Sequence, residues 1–176
     1  MFIWGKSARR GIFLLLFLLF LLPAAVASAD RVTNDLQVLY SFEEGGGQVV
    51  RDVSGVGDPL HLSILDSEAT EWLAGGGLII SSPTRIESEV PASKLISACM
   101  ASDEISIEAW LRPANTNQTG PARVVTLSMD VDNRNFTLGQ YKDIYAARLR
   151  TTTTGFNGTN PEGLSNPGDA TLQLTH

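Results

Sequence analysis

Ten residues, Glu104 to Pro113, constrain the fold of this chain more than any other stretch. Ile105, Ile107, Ala109 and Leu111 recur at every second position, so an extended backbone puts them on one face and Ser106, Glu108, Trp110 and Arg112 on the other. The spacing predicts a strand. β-Branched and aromatic side chains suit a pleated surface, and Pro113, which lacks an N–H, closes the run. Such a strand cannot bury its apolar face alone, so Ile105, Ile107, Ala109 and Leu111 are expected at the centre of a core between two sheets, and Trp110, on the other face, is expected to be core as well, with stacking on a sugar ring as its alternative.

Further short runs along the chain could supply those sheets. Leu36 to Phe42, Gln48 to Val53, Leu60 to Leu65 and Leu78 to Ile80 read as strands, as do Val124 to Met129, Asn135 to Gln140 and Tyr145 to Leu149. Glycine-rich turns separate them at Gly45 to Gly47, Asp52 to Pro59 and Gly75 to Gly77. The period changes only at Ser93 to Ala101, where Leu95, Ile96 and Cys99 have helical spacing behind Ser93 as N-cap. The long polar stretch from Thr151 to Asp169 reads as an exposed loop. The expected class is all-β, an antiparallel two-sheet jelly-roll sandwich. Ala170 to Thr175 starts another alternating run just before His176, so the domain is expected to be C-terminally incomplete.

The N-terminus carries an address. Lys6, Arg9 and Arg10 precede the apolar run Ile12 to Leu22, followed by Pro23 and the small residues Ala24 to Ala29. Positive, then apolar, then small is the order of a secretory signal peptide, with cleavage expected after Ala29 or Ala27. Eleven apolar residues fall short of the roughly 20 that span a bilayer, so no stable membrane span is expected. The domains are then residues 1–29, a signal peptide, and 30–176, the sandwich, placed outside the cell or at its surface. Cys99 is the single cysteine, which leaves an exported chain without an internal disulfide.

The full chain of 176 residues has a formal charge of −6, and removing residues 1–29 leaves ten basic against nineteen acidic side chains. A surface that acidic repels phosphate backbones, which excludes nucleic acid as a partner. His61 and His176 have no metal-ligand spacing, and the glycine runs lack the lysine and helix of a phosphate loop.

Three stretches in order carry a resemblance: Leu39 to Gly45 (Leu, Tyr, Ser, Phe, Glu, Glu, Gly), Asp52 to Gly57, and Ile105 to Pro113. With Arg123 to Ser128, Asn133 to Gln140 and Arg148 to Thr152 they resemble the laminin G-like domains of the concanavalin A-like lectin/glucanase superfamily, in a bacterial exported branch. The resemblance implies a two-sheet jelly roll of roughly 180 to 200 residues, a usual size for one β domain. Glucanases of that superfamily carry Glu, Asp and Glu at alternate positions of one strand. Here Glu104 and Glu108 flank Ser106, and a hydroxyl cannot supply the middle charge that brings two carboxyl groups into the roughly 5 Å pairing of a retaining glycosidase. No catalytic residue is expected.

Val125 to Leu138 is similar to the strand, Asp-Asn turn, strand of pentraxins, in which that pair contributes to calcium binding. Asp132 and Asn133 match the pair, and Asp130 adds a third hard oxygen ligand, so these residues are the metal candidates and calcium the candidate cofactor. An ordinary turn favours the same residues. Asp52, Ser54, Gly55 and Gly57 read equally as an ion site or as a side-chain-capped turn. Tyr141 and Tyr145 are the ligand-binding candidates, through stacking on sugar rings. The expected function is an exported, non-catalytic binding module for glycan or an extracellular protein, with a glycoside hydrolase or lyase, or a structural or adhesive module of a larger surface protein, as alternatives.

Overall fold

The structure, a computed structural model, describes residues 33–118, 122–130, 132–152 and 154–158. The chain divides into two compact units, Met1–Asn34 and Asp35–His176. The expected leader at 1–29 and the run at 170–175 lie outside the described residues, as does most of the loop expected at 151–169.

Within the second unit the described residues are mostly antiparallel strands with one short helix. In order they are β1 (Val49–Val50), β2 (Leu62–Ile64), β3 (Thr70–Trp72), β4 (Leu78–Ile80), β5 (Ile86–Glu87), α1 (Ser93–Ser102), β6 (Ala122–Ser128), β7 (Arg134–Tyr141) and β8 (Ile144–Leu149). They form sheets β1-β2-β5, β3-β4 and β6-β7-β8. The largest is a meander in which Leu127 pairs with Phe136 and Phe136 with Leu149. Strand β7 lies between two neighbours, and Phe136, Thr137 and Gln140 along it are buried. Its return into β8 is a tight turn through Lys142, which takes φ 53°. Among the described residues no helix is long and apolar enough to cross a membrane.

Among the described residues the buried apolar side chains are Val50, Leu60, Ile64, Ala69, Ala92 and Phe136. Most come from the short strands and the segments around them, with Ala92 at the start of α1 and Phe136 on β7, and none from the stretch the alternation marks most clearly. Glu104 to Pro113 forms no strand, and Ile105, Ile107, Ala109, Trp110 and Leu111 are exposed, Trp110 at 78%. The physical reason is pairing. Alternation assigns side chains to faces, but a ladder needs a neighbouring backbone, and no described strand pairs with this segment. The chain leaves α1 through Asp103 at φ 56° and is next anchored beyond Pro113, where Gln140 Nε2 donates to the Asn115 carbonyl at 2.7 Å and Lys142 N to the Gln118 carbonyl at 3.0 Å. Leu36 to Phe42, also expected as a strand, contributes one bridge, Tyr40 to Asp52.

Asp52 holds this region together. Its side chain has no solvent exposure. Oδ1 accepts from Leu39 N at 3.2 Å and Ser54 N at 3.0 Å, while Oδ2 accepts from Leu60 N at 3.0 Å and from the Lys94 ammonium. Lys94 Nζ also donates to the Val56 carbonyl at 2.9 Å, and Asp52 N donates to His61 Nδ1 at 3.0 Å. The Tyr40 hydroxyl donates to the Leu60 carbonyl at 2.6 Å. Burial pushes the Asp52 carboxyl up, but the Leu60 N–H, Lys94 and Ser54 outweigh it and hold it well below the usual carboxylate range. Burial, and secondarily the charge on Asp52, pushes the Tyr40 phenol above its ordinary value.

Helix α1 depends on this contact. It has no buried residue of its own, and its N-cap is Ala92, which offers no side-chain hydrogen bond, where Ser93 was expected. Lys94, only 15% exposed, is its polar link to the sheet region. Asp52→Asn keeps the shape but removes the charge, leaving a largely buried ammonium unpaired, and is expected to cost about 3 to 5 kcal/mol. Because the folded carboxyl lies below its unfolded value of about 3.9, its contribution is present above that pH and is lost as pH falls toward the folded value. Urea titrations should therefore show a lower midpoint for Asp52→Asn at pH 7, and a gap from wild type that narrows below about pH 4. Equal midpoints at pH 7 would contradict the assignment.

Candidate functional site

The acidic turn joins β6 to β7, and its chemistry is directed inward. Asp130 Oδ1 accepts from Asp132 N at 2.8 Å, Asn133 N at 2.7 Å and Asn133 Nδ2 at 3.0 Å, and Oδ2 accepts from Asn133 Nδ2 at 2.9 Å. Met129 N donates to the Asn133 carbonyl at 2.9 Å, closing the loop. The Asn133 amide first, then the two backbone N–H groups, hold the Asp130 carboxyl below its ordinary value. Calcium takes six to eight oxygen ligands. In this turn Asp130 already faces donors, and no group of three or more His, Cys, Asp or Glu among the described residues is placed to hold a metal ion. In this arrangement the amides of the turn itself occupy the Asp130 carboxylate.

The tyrosines lie at the other end of β7. From Arg134 to Tyr141 the strand spans about 24 Å, so the acidic turn and Tyr141 do not share a site. Tyr141 is exposed, with Lys142 Nζ 5.4 Å from its ring centroid. Tyr145 is half-buried, and burial pushes its phenol up. Tyr145 pairs with Gln140, the residue before Tyr141, so the two rings belong to opposite faces of the sheet and make no joint platform.

Of the triplet at 104, 106 and 108, Glu108 Oε1 accepts the indole N–H of Trp110 at 2.6 Å. The turn at Asp52 resolves to the capped alternative, since all its carboxylate acceptor positions face protein donors.

Sequence reasoning missed a cleft of about 490 Å³ lined by Glu43, Gly45, Trp72, Leu73, Ala74, Gly75 and Gly76. It forms where the β3–β4 turn docks on an earlier segment. Leu73 N donates to the Gly77 carbonyl at 3.0 Å, Gly76 N to the Leu73 carbonyl at 3.2 Å, and Gly77 N to the Phe42 carbonyl at 2.7 Å. Gly75, Gly76 and Gly77 have φ of 91°, 101° and 117°, and a Cβ on Gly76 would lie 3.3 Å from Glu43 Cγ, so the turn requires glycine both for its backbone and for its close approach. Phe42 itself takes φ 55°, a strain of about 1 to 3 kcal/mol for a side-chain-bearing residue. Trp72 Nε1 donates to the Gly47 carbonyl at 2.9 Å, which fixes the indole at the cleft wall. The available signal was Trp72 leading through Leu73 and Ala74 into Gly75 to Gly77, which reads from sequence as a strand boundary.

No family model matches the chain, and comparison with curated proteins and with solved structures gives no match.

Replacing Asp130 by Ala removes the acceptor of both turn amides. Hydrogen exchange at Asp132 N and Asn133 N should accelerate in Asp130→Ala at pH 7, with β1, β2 and β5 unaffected. Unchanged exchange at those two amides would show that the carboxylate does not organise the turn.

Proposed function

We propose that this chain is an exported, non-catalytic binding module, a laminin G-like jelly roll whose antiparallel sheets pack as two layers, and that it recognises a glycan or an extracellular protein. The observation that carries the reading is Trp110. Its ring is 78% exposed, yet its N–H is tied to the Glu108 carboxylate, so a large amphipathic surface is presented in one orientation. Aromatic rings held this way lose little rotamer freedom when a partner covers them. Ile105, Ile107 and Leu111 extend the exposed apolar surface along the same segment. The absence of an acid between Glu104 and Glu108, and the engagement of Glu108 with the indole, support binding over bond cleavage.

Calcium at Asp130, Asp132 and Asn133 belongs to the same proposal, on the condition that the ion displaces the Asn133 amide from the Asp130 carboxylate. Calorimetry should then register calcium binding by the wild type and none by Asp132→Ala.

A glycan array and an extracellular-protein panel, run beside a reducing-sugar release assay, test the module reading. Binding without sugar release is expected, weakened tenfold or more in Trp110→Ala, the equivalent of about 1.4 kcal/mol. Sugar release by the wild type that disappears in Glu108→Gln would assign the chain to the glycoside hydrolases instead.

A further inference from the structure

The cleft beside Trp72 combines three features that no structural role of the β3–β4 turn requires. The indole is fixed through its N–H to Gly47, which leaves the ring to serve as an apolar wall. Glu43, in the lining, is exposed and its carboxylate makes no hydrogen bond among the described residues. The N–H groups of Ala74 and Gly75, also in the lining, make none either. Between the lining residues Glu43 and Gly45, Glu44 accepts from Arg51 N at 2.6 Å through Oε1, while its Oε2 is shielded from solvent without a donor. The result is an apolar face next to separate acceptors and donors, in a volume of about 490 Å³ that lies within the usual range for small-molecule sites.

We infer that this cleft is a saccharide subsite for one neutral sugar unit, stacked on Trp72, with its hydroxyls donating to Glu43 and accepting from the Ala74 and Gly75 N–H groups. A pyranose has an apolar C–H face and a rim of hydroxyls that both donate and accept, which matches this lining. The carboxylate of Glu43 in the lining disfavours phosphorylated and uronic sugars by charge. A quaternary ammonium would use the ring and that carboxylate but leave the two N–H donors unanswered. Gly75 and Gly76 let the ligand approach the backbone closely. The inference rests on the binding-module reading and narrows it to one ligand class at one place.

The test is a titration of the full chain with a panel of neutral di- and trisaccharides of glucose, galactose, mannose and N-acetylglucosamine. Choline and glucuronic acid are run in parallel, and binding is followed through the indole N–H resonances of Trp72 and Trp110. At least one neutral saccharide should shift the Trp72 resonance saturably. Trp72→Ala should abolish that binding, and Glu43→Gln, at an exposed position where folding is not at stake, should weaken it five- to tenfold. Saturation by choline or glucuronate with no response to neutral sugars would overturn the inference, as would unchanged affinity in Glu43→Gln. Saccharide binding that moves only the Trp110 resonance would overturn the subsite while leaving the module reading intact. A protein ligand bound through Trp110 with no saccharide response would do the same.

Discussion

A carboxylate that water cannot reach must be paid for by donors, and Asp52 has four of them. They come from Leu39, Ser54, Leu60 and Lys94, so the charge ties the segment before β1, the turn after it, the entry to β2 and helix α1 to a single point. Strands of two or three residues, such as β1, β2 and β5, supply few ladder hydrogen bonds, and the buried apolar residues described around them are few. Under those conditions the arrangement of the region follows from where the charge sits. Removing either partner leaves the other desolvated, which is why a buried pair determines geometry more strongly than it adds net stability.

The sequence made the local part of this legible. Asp52, Ser54, Gly55 and Gly57 read as a capped turn or an ion site, and the structure selects the capped turn. It could not show Lys94, because the pairing spans 42 residues and nothing in a helical period marks which lysine turns inward. The same division separates the strands. β6, β7 and β8 form a local meander, and their expected positions match the observed ones within two residues. β4 matches fully, while β3 and β5 were overlooked because runs of two or three residues have too little period to see. Glu104 to Pro113 had the clearest alternation and makes no ladder, because alternation specifies faces and not neighbours.

The candidate sites follow the same logic. Asp130, Asp132 and Asn133 were visible because turn residues and calcium ligands are the same residue types, and the geometry shows the turn using Asp130 to cap itself. Tyr141 and Tyr145 looked like a pair by proximity in sequence, but a strand pairing that sets Tyr145 beside Gln140 divides them between faces. The Trp72 cleft was invisible for the opposite reason. It depends on Gly77 meeting the carbonyl of Phe42 and on Glu43 lying against Gly76, contacts between segments more than 30 residues apart. The binding surfaces proposed here, Trp110 on an unpaired segment and Trp72 at a glycine turn, both place an aromatic ring whose N–H is fixed by a protein acceptor.

The claim on which the account turns is that Asp52 and Lys94 act as one unit holding α1 to the rest of the second unit. A double-mutant cycle with Asp52→Asn, Lys94→Met and the combined variant, measured by urea unfolding at pH 7, tests it directly. The account predicts a coupling of about 1 to 3 kcal/mol, with the double variant losing much less than the two single losses added. Losses that simply add would mean that the two residues stabilise the fold independently, and would contradict it.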